Sequence, residues 1–181
     1  SLQGITKHFG GITALEDVSF EVDAGEVVGL MGPNGAGKTT LLNAVAGTYA
    51  PDAGTIHFEG RDITGYPAHK VCKLGIARTY QIPQPFVSLS VLDNLNVAAI
   101  YGQRHGHPAM RGNFDHILAM AGLLERKNQL AGSLPILSLK KLELARALAC
   151  NPELILLDEI AAGLTEPEIP MVLDTIKEIR A

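Results

Sequence analysis

At 181 residues the chain is about one domain, long enough to bury a real core. Its 15 basic and 19 acidic residues leave a formal net charge of −4, so nothing points to a broad polyanion-binding surface and nucleic acid is an unexpected partner. No apolar run approaches the ~20 residues needed to span a bilayer, while a 46% hydrophobic content exceeds what a lone monomer favours, so a partner is expected to cover part of the surface.

The first segment alternates apolar and polar residues like antiparallel strands: TALEDVSFEV, the turn DAGE, then EVVGLMG. GKTTLLNAVA, residues 37–46, has apolar spacing suited to a helix closed by Gly47, and PDAG turns into the strand TIHFEG. From Ser90, SVLDNLNVAAI reads as a capped helix; FDHILAMAGLLE and SLKKLELARALAC follow as amphipathic helices. Asn151-Pro152 ends the last of these, LILLD forms a buried strand, and EPEIPMVLDTIKEIRA returns to helix. Cys72 and Cys150 lack C-x-x-C spacing and sit in apolar surroundings, which suits buried thiols in a reducing compartment rather than a disulfide frame or zinc. The N-terminal SLQGITKHFG has neither an apolar leader core nor an initiator methionine, so the expectation is a trimmed chain that stays in the cytoplasm.

The strongest chemical signal is GPNGAGKTT, residues 32–40, in which Gly32, Gly37, Lys38 and Thr39 satisfy G-x-x-x-x-G-K-[ST] between an expected strand and helix. Glycines let such a loop wrap closely, so that backbone N–H groups of Pro33-flanking residues Asn34, Gly35 and Ala36 onward point at phosphate oxygens. The following helix adds its positive end. Lys38 then bridges the β- and γ-phosphates, and the hydroxyl of Thr39, followed by Thr40, meets Mg²⁺. The second signal is LILLDE, residues 154–159. A buried strand delivers Asp158 to the end where open α/β sheets bind ligands, so Asp158 is expected to hold magnesium while Glu159 faces the attacking water.

Phe9, GPNGAGKTT, RTYQ (78–81), LELARALACNPELILLDE and AGLT (162–165), in that order, resemble an ABC-type ATPase over essentially the whole chain. HFGGITALEDVSFEV, DITGYPAHKVCKLGIARTYQ and the F-x-x-L-S-V-L-D-N-L pattern resemble the ATP-binding subunit of branched-chain amino-acid importers most closely. The resemblance implies an α/β P-loop NTPase core with a mixed parallel sheet, an N-terminal antiparallel β subdomain and a helical subdomain near residues 87–147, all in one domain truncated at its C-terminus. It implies ATP and Mg²⁺ as cofactors, a second ABC ATPase subunit, identical or not, and transmembrane permease subunits as partners, and a peripheral place on the cytoplasmic membrane face. Phe9 matches the aromatic that stacks on adenine, Gln81 the glutamine that reaches magnesium and the attacking water, Glu159 the general base, and residues 162–165 the loop crossing to the opposite subunit.

Read without the resemblance, Phe9 is core or a loop anchor and Gln81 a surface amide. Arg146, Lys140 and Lys141 read as the polar face of a helix, and His105 with His107, lacking further ligands, implies no zinc. The chain departs from the family pattern at residues 134–138, where LPILS replaces the usual Leu-Ser-Gly-Gly-Gln, at Ile160, which replaces a proline, and at Ala181, where it stops before the usual strand and histidine. Ser138 is expected to cap the helix that follows LPILS. A soluble ABC-type ATPase and a nucleotide-binding regulator are the competing readings.

Overall fold

A computed structural model describes residues 1–102 and 114–158 and divides the chain into two compact units, Ser1–Val71 and Cys72–Ala181. The helix expected at residues 166–181, the base Glu159, the AGLT loop and the pair His105 and His107 lie outside the described residues.

The first unit is built on a four-stranded antiparallel sheet. Strands β1 (Leu2–Phe9) and β2 (Ile12–Phe20) form a hairpin through Gly10, which takes the left-handed φ of 58° that the turn needs. The sheet order is β2-β1-β3-β4, with β3 at Ala53–Phe58 and β4 at Arg61–Asp62. The hairpin register slips between Leu2 and Ile5 and again near Lys7. Side chains fill the interrupted ladder there: Gly4 N–H donates to Ser19 Oγ at 2.8 Å and Asp17 N–H to Thr6 Oγ1 at 3.1 Å. Ile5 is fully buried, and Leu2, Leu15 and Ile56 of the sheet and Leu41 and Ala44 of helix α1 (Lys38–Val45) are buried as well. Helix α1 ends as its sequence predicts, at Gly47 with φ 76°, whose N–H donates to Ala44 O at 3.2 Å.

The strand expected over EVVGLMG does not form. Residues 21–31 have no strand assignment, and Val27, Val28, Leu30 and Met31 are exposed. A strand that is apolar on both faces is stable only between two partners, and among the described residues none pairs with this segment. Periodicity reported the segment's intrinsic preference; the missing partners decided its conformation.

The second unit pairs β5 (Ile76–Arg78) in parallel with β6 (Leu154–Leu156), and its described residues include the helices α3 (Val91–Tyr101), α4 (Asp115–Met120) and α5 (Ile136–Ala149). Between the units' residues, α2 (Ala68–Cys72) straddles the boundary. Ser90 caps α3 as expected, its Oγ accepting from Asp93 N–H at 3.0 Å. FDHILAMAGLLE is shorter than one helix: α4 stops at Met120, Gly122 turns with φ 65°, and a 3₁₀ turn covers Leu124–Arg126. Val91 and Leu95 of α3, Phe114 and Leu118 at α4, and Leu142 of α5 are at most 1% exposed and form one cluster. Each such side chain contributes roughly 1.5–3 kcal/mol by burial.

Helix α5 begins two residues before its expected cap. Pro135 is the N-cap, with φ −59° and no side-chain cap, and the first intrahelical bond is Leu139 N–H to Pro135 O at 3.0 Å. Ser138 therefore lies inside the first turn rather than capping it. Proline's preset φ and missing N–H suit the helix start, so Pro135 outcompetes the serine.

Candidate functional site

The glycine-rich loop lies in the first unit. Pro33 O accepts from Ala36 N–H at 3.2 Å, closing a tight turn through Asn34 and Gly35, and Gly35 has φ 83°. Gly37 follows at φ 85° as the N-cap of α1, and Leu41 N–H donates to its carbonyl at 2.8 Å. A β-carbon on Gly37 would run into the carbonyl oxygen of Ala14 and into the Leu15 side chain, so close approach as well as φ demands glycine there. Lys38, the first residue of α1, curls back across the loop: Nζ donates to Gly32 O at 2.7 Å and to Pro33 O at 2.8 Å. Gly32 through Ala36 and Thr39 are exposed.

A loop of this form fits a polyphosphate. Its glycines clear space for an anion, the N-terminus of α1 adds its partial positive charge, and the ammonium reaches back across the mouth of the turn. Thr39 is the second residue of α1 and is exposed.

Phe9, the last residue of β1, is 42% exposed, and its ring meets Tyr49 edge-on at 5.3 Å between centroids. Lys7 Nζ stands 5.6 Å from the same ring. The phenyl is thus neither core nor isolated; it presents part of its surface to solvent, supported by a second aromatic, as a stacking platform for a base requires.

The second unit brings Asp158 to the end of β6, 4% exposed. Arg78, the last residue of the neighbouring β5, donates from Nη2 to Asp158 Oδ2 at 2.9 Å, with the two side chains 6% and 4% exposed. Thr79, buried beside them, accepts from Asp158 N–H at 3.3 Å and donates its own N–H to Leu156 O at 3.0 Å. The parallel register Arg78↔Leu156 puts these groups together. Sequence reasoning quoted Arg78 within RTYQ but gave it no role. An arginine ending one short strand beside an aspartate ending another is a signal readable only once those strands are known to pair.

Gln81 stands exposed three residues beyond β5, next to the half-exposed Tyr80, whose ring Arg78 covers at 5.1 Å. The loop after it is held from two sides. Asn94, fully buried in α3, accepts from Phe86 N–H at 2.9 Å and donates to Phe86 O at 3.1 Å. Arg146 of α5 donates to Gln84 O at 2.7 Å and to Glu143 Oε2 at 3.0 Å, and lies over the Phe86 ring at 5.2 Å. Arg146 thus lies on the polar side of α5, and that side faces the loop at Gln84 and Phe86 rather than open solvent. Burial pushes the Glu143 carboxyl above its usual range, with Arg146 pulling in the opposite direction. Glu143 and Asn94 were not anticipated; a glutamate inside the apolar run LELARALA was the available sign.

The LPILS segment runs from buried Leu134 through exposed Pro135 and Ile136 into the first turn of α5. Ile136 is 65% exposed, an unusual exposure for an isoleucine at a helix start.

A family model described as ABC transporter matches residues 15–162. The branched-chain amino acid transport ATP-binding protein LivG of Salmonella typhimurium is 36% identical, over 99% of this chain and 76% of its own length. BraF of Pseudomonas aeruginosa, a protein of the same description, is 34% identical over the same shares, and a probable LivG of Archaeoglobus fulgidus is 37% identical over 98% of this chain and 74% of its own. Among solved structures, an ATP-binding cassette of an ABC transporter in its ADP conformation superposes with a TM-score of 0.84 at 32% identity, covering 99% of this chain and 75% of that one. A dimeric bacterial ABC transporter cassette reaches 0.88 at 26% identity, covering 99% and 82%. These neighbours share the P-loop cassette architecture of mixed sheets and helices, and the chain belongs to the ABC transporter family of ATP-binding proteins.

Proposed function

We propose that this chain is the ATP-binding and hydrolysing subunit of an ABC importer for branched-chain or other neutral amino acids, acting with a second ATPase subunit and with permease subunits at the cytoplasmic face of the membrane. The observation that carries this reading is the phosphate-shaped loop at residues 32–40 in a chain whose relatives are branched-chain amino acid transport ATP-binding proteins. No helix among the described residues is long and apolar enough to cross a membrane.

In this reading Gly32, Pro33, Asn34, Gly35, Ala36, Gly37, Lys38, Thr39 and Thr40 cradle the triphosphate and Phe9 stacks on the base. Thr39, Gln81 and Asp158 hold Mg²⁺, which when bound neutralises charge on the phosphates. Glu159 takes the proton of the attacking water and Gln81 orients that water. LPILS supports a second, asymmetric feature. Pro135 lacks an N–H, and Ile136 and Leu137 carry bulk where glycine would let backbone approach a phosphate, so this segment is a weak donor to a γ-phosphate bound on the partner. The strong composite site then consists of this chain's loop and Glu159 with the partner's intact signature. The regulator reading draws on the same LPILS segment, but Asp158, Glu159 and Gln81 together supply chemistry that a nucleotide sensor does not need.

The test is a reconstituted pair with its permease. Glu159→Gln here keeps ATP binding and lowers ATP turnover about 10²-fold or more, the usual contribution of a general base, whereas the same change in the partner removes little. Rebuilding the signature with Pro135→Ser, Ile136→Gly, Leu137→Gly and Ser138→Gln raises activity at the partner's site. Unchanged turnover in Glu159→Gln moves the base elsewhere. Equal losses from the two base substitutions defeat the asymmetry while leaving the ATPase intact.

A further inference from the structure

A single helix connects the loop assigned to the phosphates with the ring assigned to the base, and all three stand in the first unit. Helix α1 starts at Lys38, ends at Val45, and rises by about 12 Å over its length. The chain leaving it is tied back onto the last turn: Gly47 N–H donates to Ala44 O at 3.2 Å, Thr48 N–H to Asn43 O at 2.9 Å, and Tyr49 N–H to the same carbonyl at 3.5 Å. A β-carbon at Gly47 would strike Tyr66 O, so the exit from the helix has little freedom. Tyr49 is therefore the far end of the element that begins with the phosphate loop. Its ring meets that of Phe9 with the two planes 78° apart.

Further on, Asp52 fastens the same stretch to β1. Its N–H donates to Thr6 O at 2.8 Å, and its carboxylate accepts from His8 N–H at 2.6 Å and from Lys7 Nζ at 2.8 Å. These bonds fix the residues that lead into Phe9, and they hold the Lys7 ammonium over the phenyl ring. Neither Tyr49 nor Asp52 has a part in the nucleotide chemistry described above.

We propose that Tyr49 is a positioning residue for nucleobase stacking: it sets the Phe9 ring at a defined place relative to the phosphate loop, so that a purine nucleoside triphosphate reaches both at once. The inference rests on the nucleotide reading above and gives it a further residue. A phenyl at the end of a strand turns about its side-chain torsions, and a base that stacks on it must stop that motion. Tyr49, edge-on, restricts the ring before the base arrives, so stacking costs less ordering. Because Tyr49 is itself anchored to α1, the ring is placed with respect to the end of the helix that carries Lys38. The contact is one of ring against ring, so a phenylalanine at position 49 serves equally well.

The test is isothermal titration calorimetry of the full chain with magnesium and either ATP or inorganic tripolyphosphate, which fills the phosphate loop without a base. Phe9→Ala weakens ATP about tenfold or more, the worth of one base–aromatic stack, and leaves tripolyphosphate unchanged. Tyr49→Ala weakens ATP roughly three- to tenfold, the worth of an aromatic pair, again with tripolyphosphate unchanged, and Tyr49→Phe restores wild-type binding. A purely structural role for Tyr49 lowers both affinities together and overturns the inference. So does a Tyr49→Phe variant as weak as Tyr49→Ala. Phe9→Ala with full ATP affinity removes the base platform itself and the inference with it, whereas a loss in Phe9→Ala with none in Tyr49→Ala sinks the inference alone and leaves the nucleotide reading standing.

Discussion

Replacing Arg78 by methionine separates an electrostatic clamp from ordinary packing. The guanidinium and the Asp158 carboxylate meet at 2.9 Å with side chains 6% and 4% exposed, so water cannot take over the guanidinium's place. Removing one member of a buried ion pair costs about 3–5 kcal/mol, since the remaining charge keeps its desolvation penalty without its partner. Loss of the Arg78 contact over the half-exposed Tyr80 ring adds about 0.5–1 kcal/mol. Arg78→Met is thus expected to lower the unfolding free energy by roughly 3.5–6 kcal/mol in equilibrium urea titration at pH 7, with Asp158→Leu costing at least as much, because the guanidinium it leaves cannot shed its charge, and the double variant recovering most of the loss. A decrease below about 1 kcal/mol, or two single effects that simply add, would refute the view that this pair holds the ends of β5 and β6 together.

Gly37→Ala should abolish binding of a fluorescent ATP analogue and lower thermal stability. Its φ of 85° costs an alanine about 1–2 kcal/mol, and the added methyl meets Ala14 and Leu15 besides; near-wild-type binding contradicts the loop geometry. The Glu143 carboxyl is held above its usual 4.5 by burial, so the folded protein binds its proton more tightly than the unfolded chain does. Its contribution to stability is full below that usual value and is lost as pH rises through the folded value. Glu143→Gln should therefore flatten the decline in stability over that window in pH-dependent denaturation, and an unchanged profile rules the burial effect out.

The elements with local causes were legible in the sequence. Ser90 announces α3 because a hydroxyl three residues before an amide needs only its own turn, and Gly47 ends α1 for an equally local reason. The loop at 32–40 was legible because its chemistry depends on consecutive residues. Failures came where distant chain decides. EVVGLMG has the pattern of a buried strand, but pattern does not create the two neighbours such a strand needs. Pro135 displaced the cap assigned to Ser138 because two competing helix starts stood three residues apart. Arg78, Asn94 and Arg146 gained their roles from segments far along the chain, at Asp158, Phe86 and Gln84, and no window of local sequence contains those partners.

The central claim is that Lys38 and its loop hold the phosphates of ATP. The most direct measurement is titration of the full chain and its Lys38→Ala variant with a fluorescent ATP analogue and magnesium, at fixed ionic strength. Loss of a charge-assisted contact of about 1.5–3 kcal/mol predicts affinity weaker by roughly one to two decades, with the Gly32 and Pro33 carbonyls losing their ammonium partner in the free protein as well. Equal affinity in the two proteins would contradict the account.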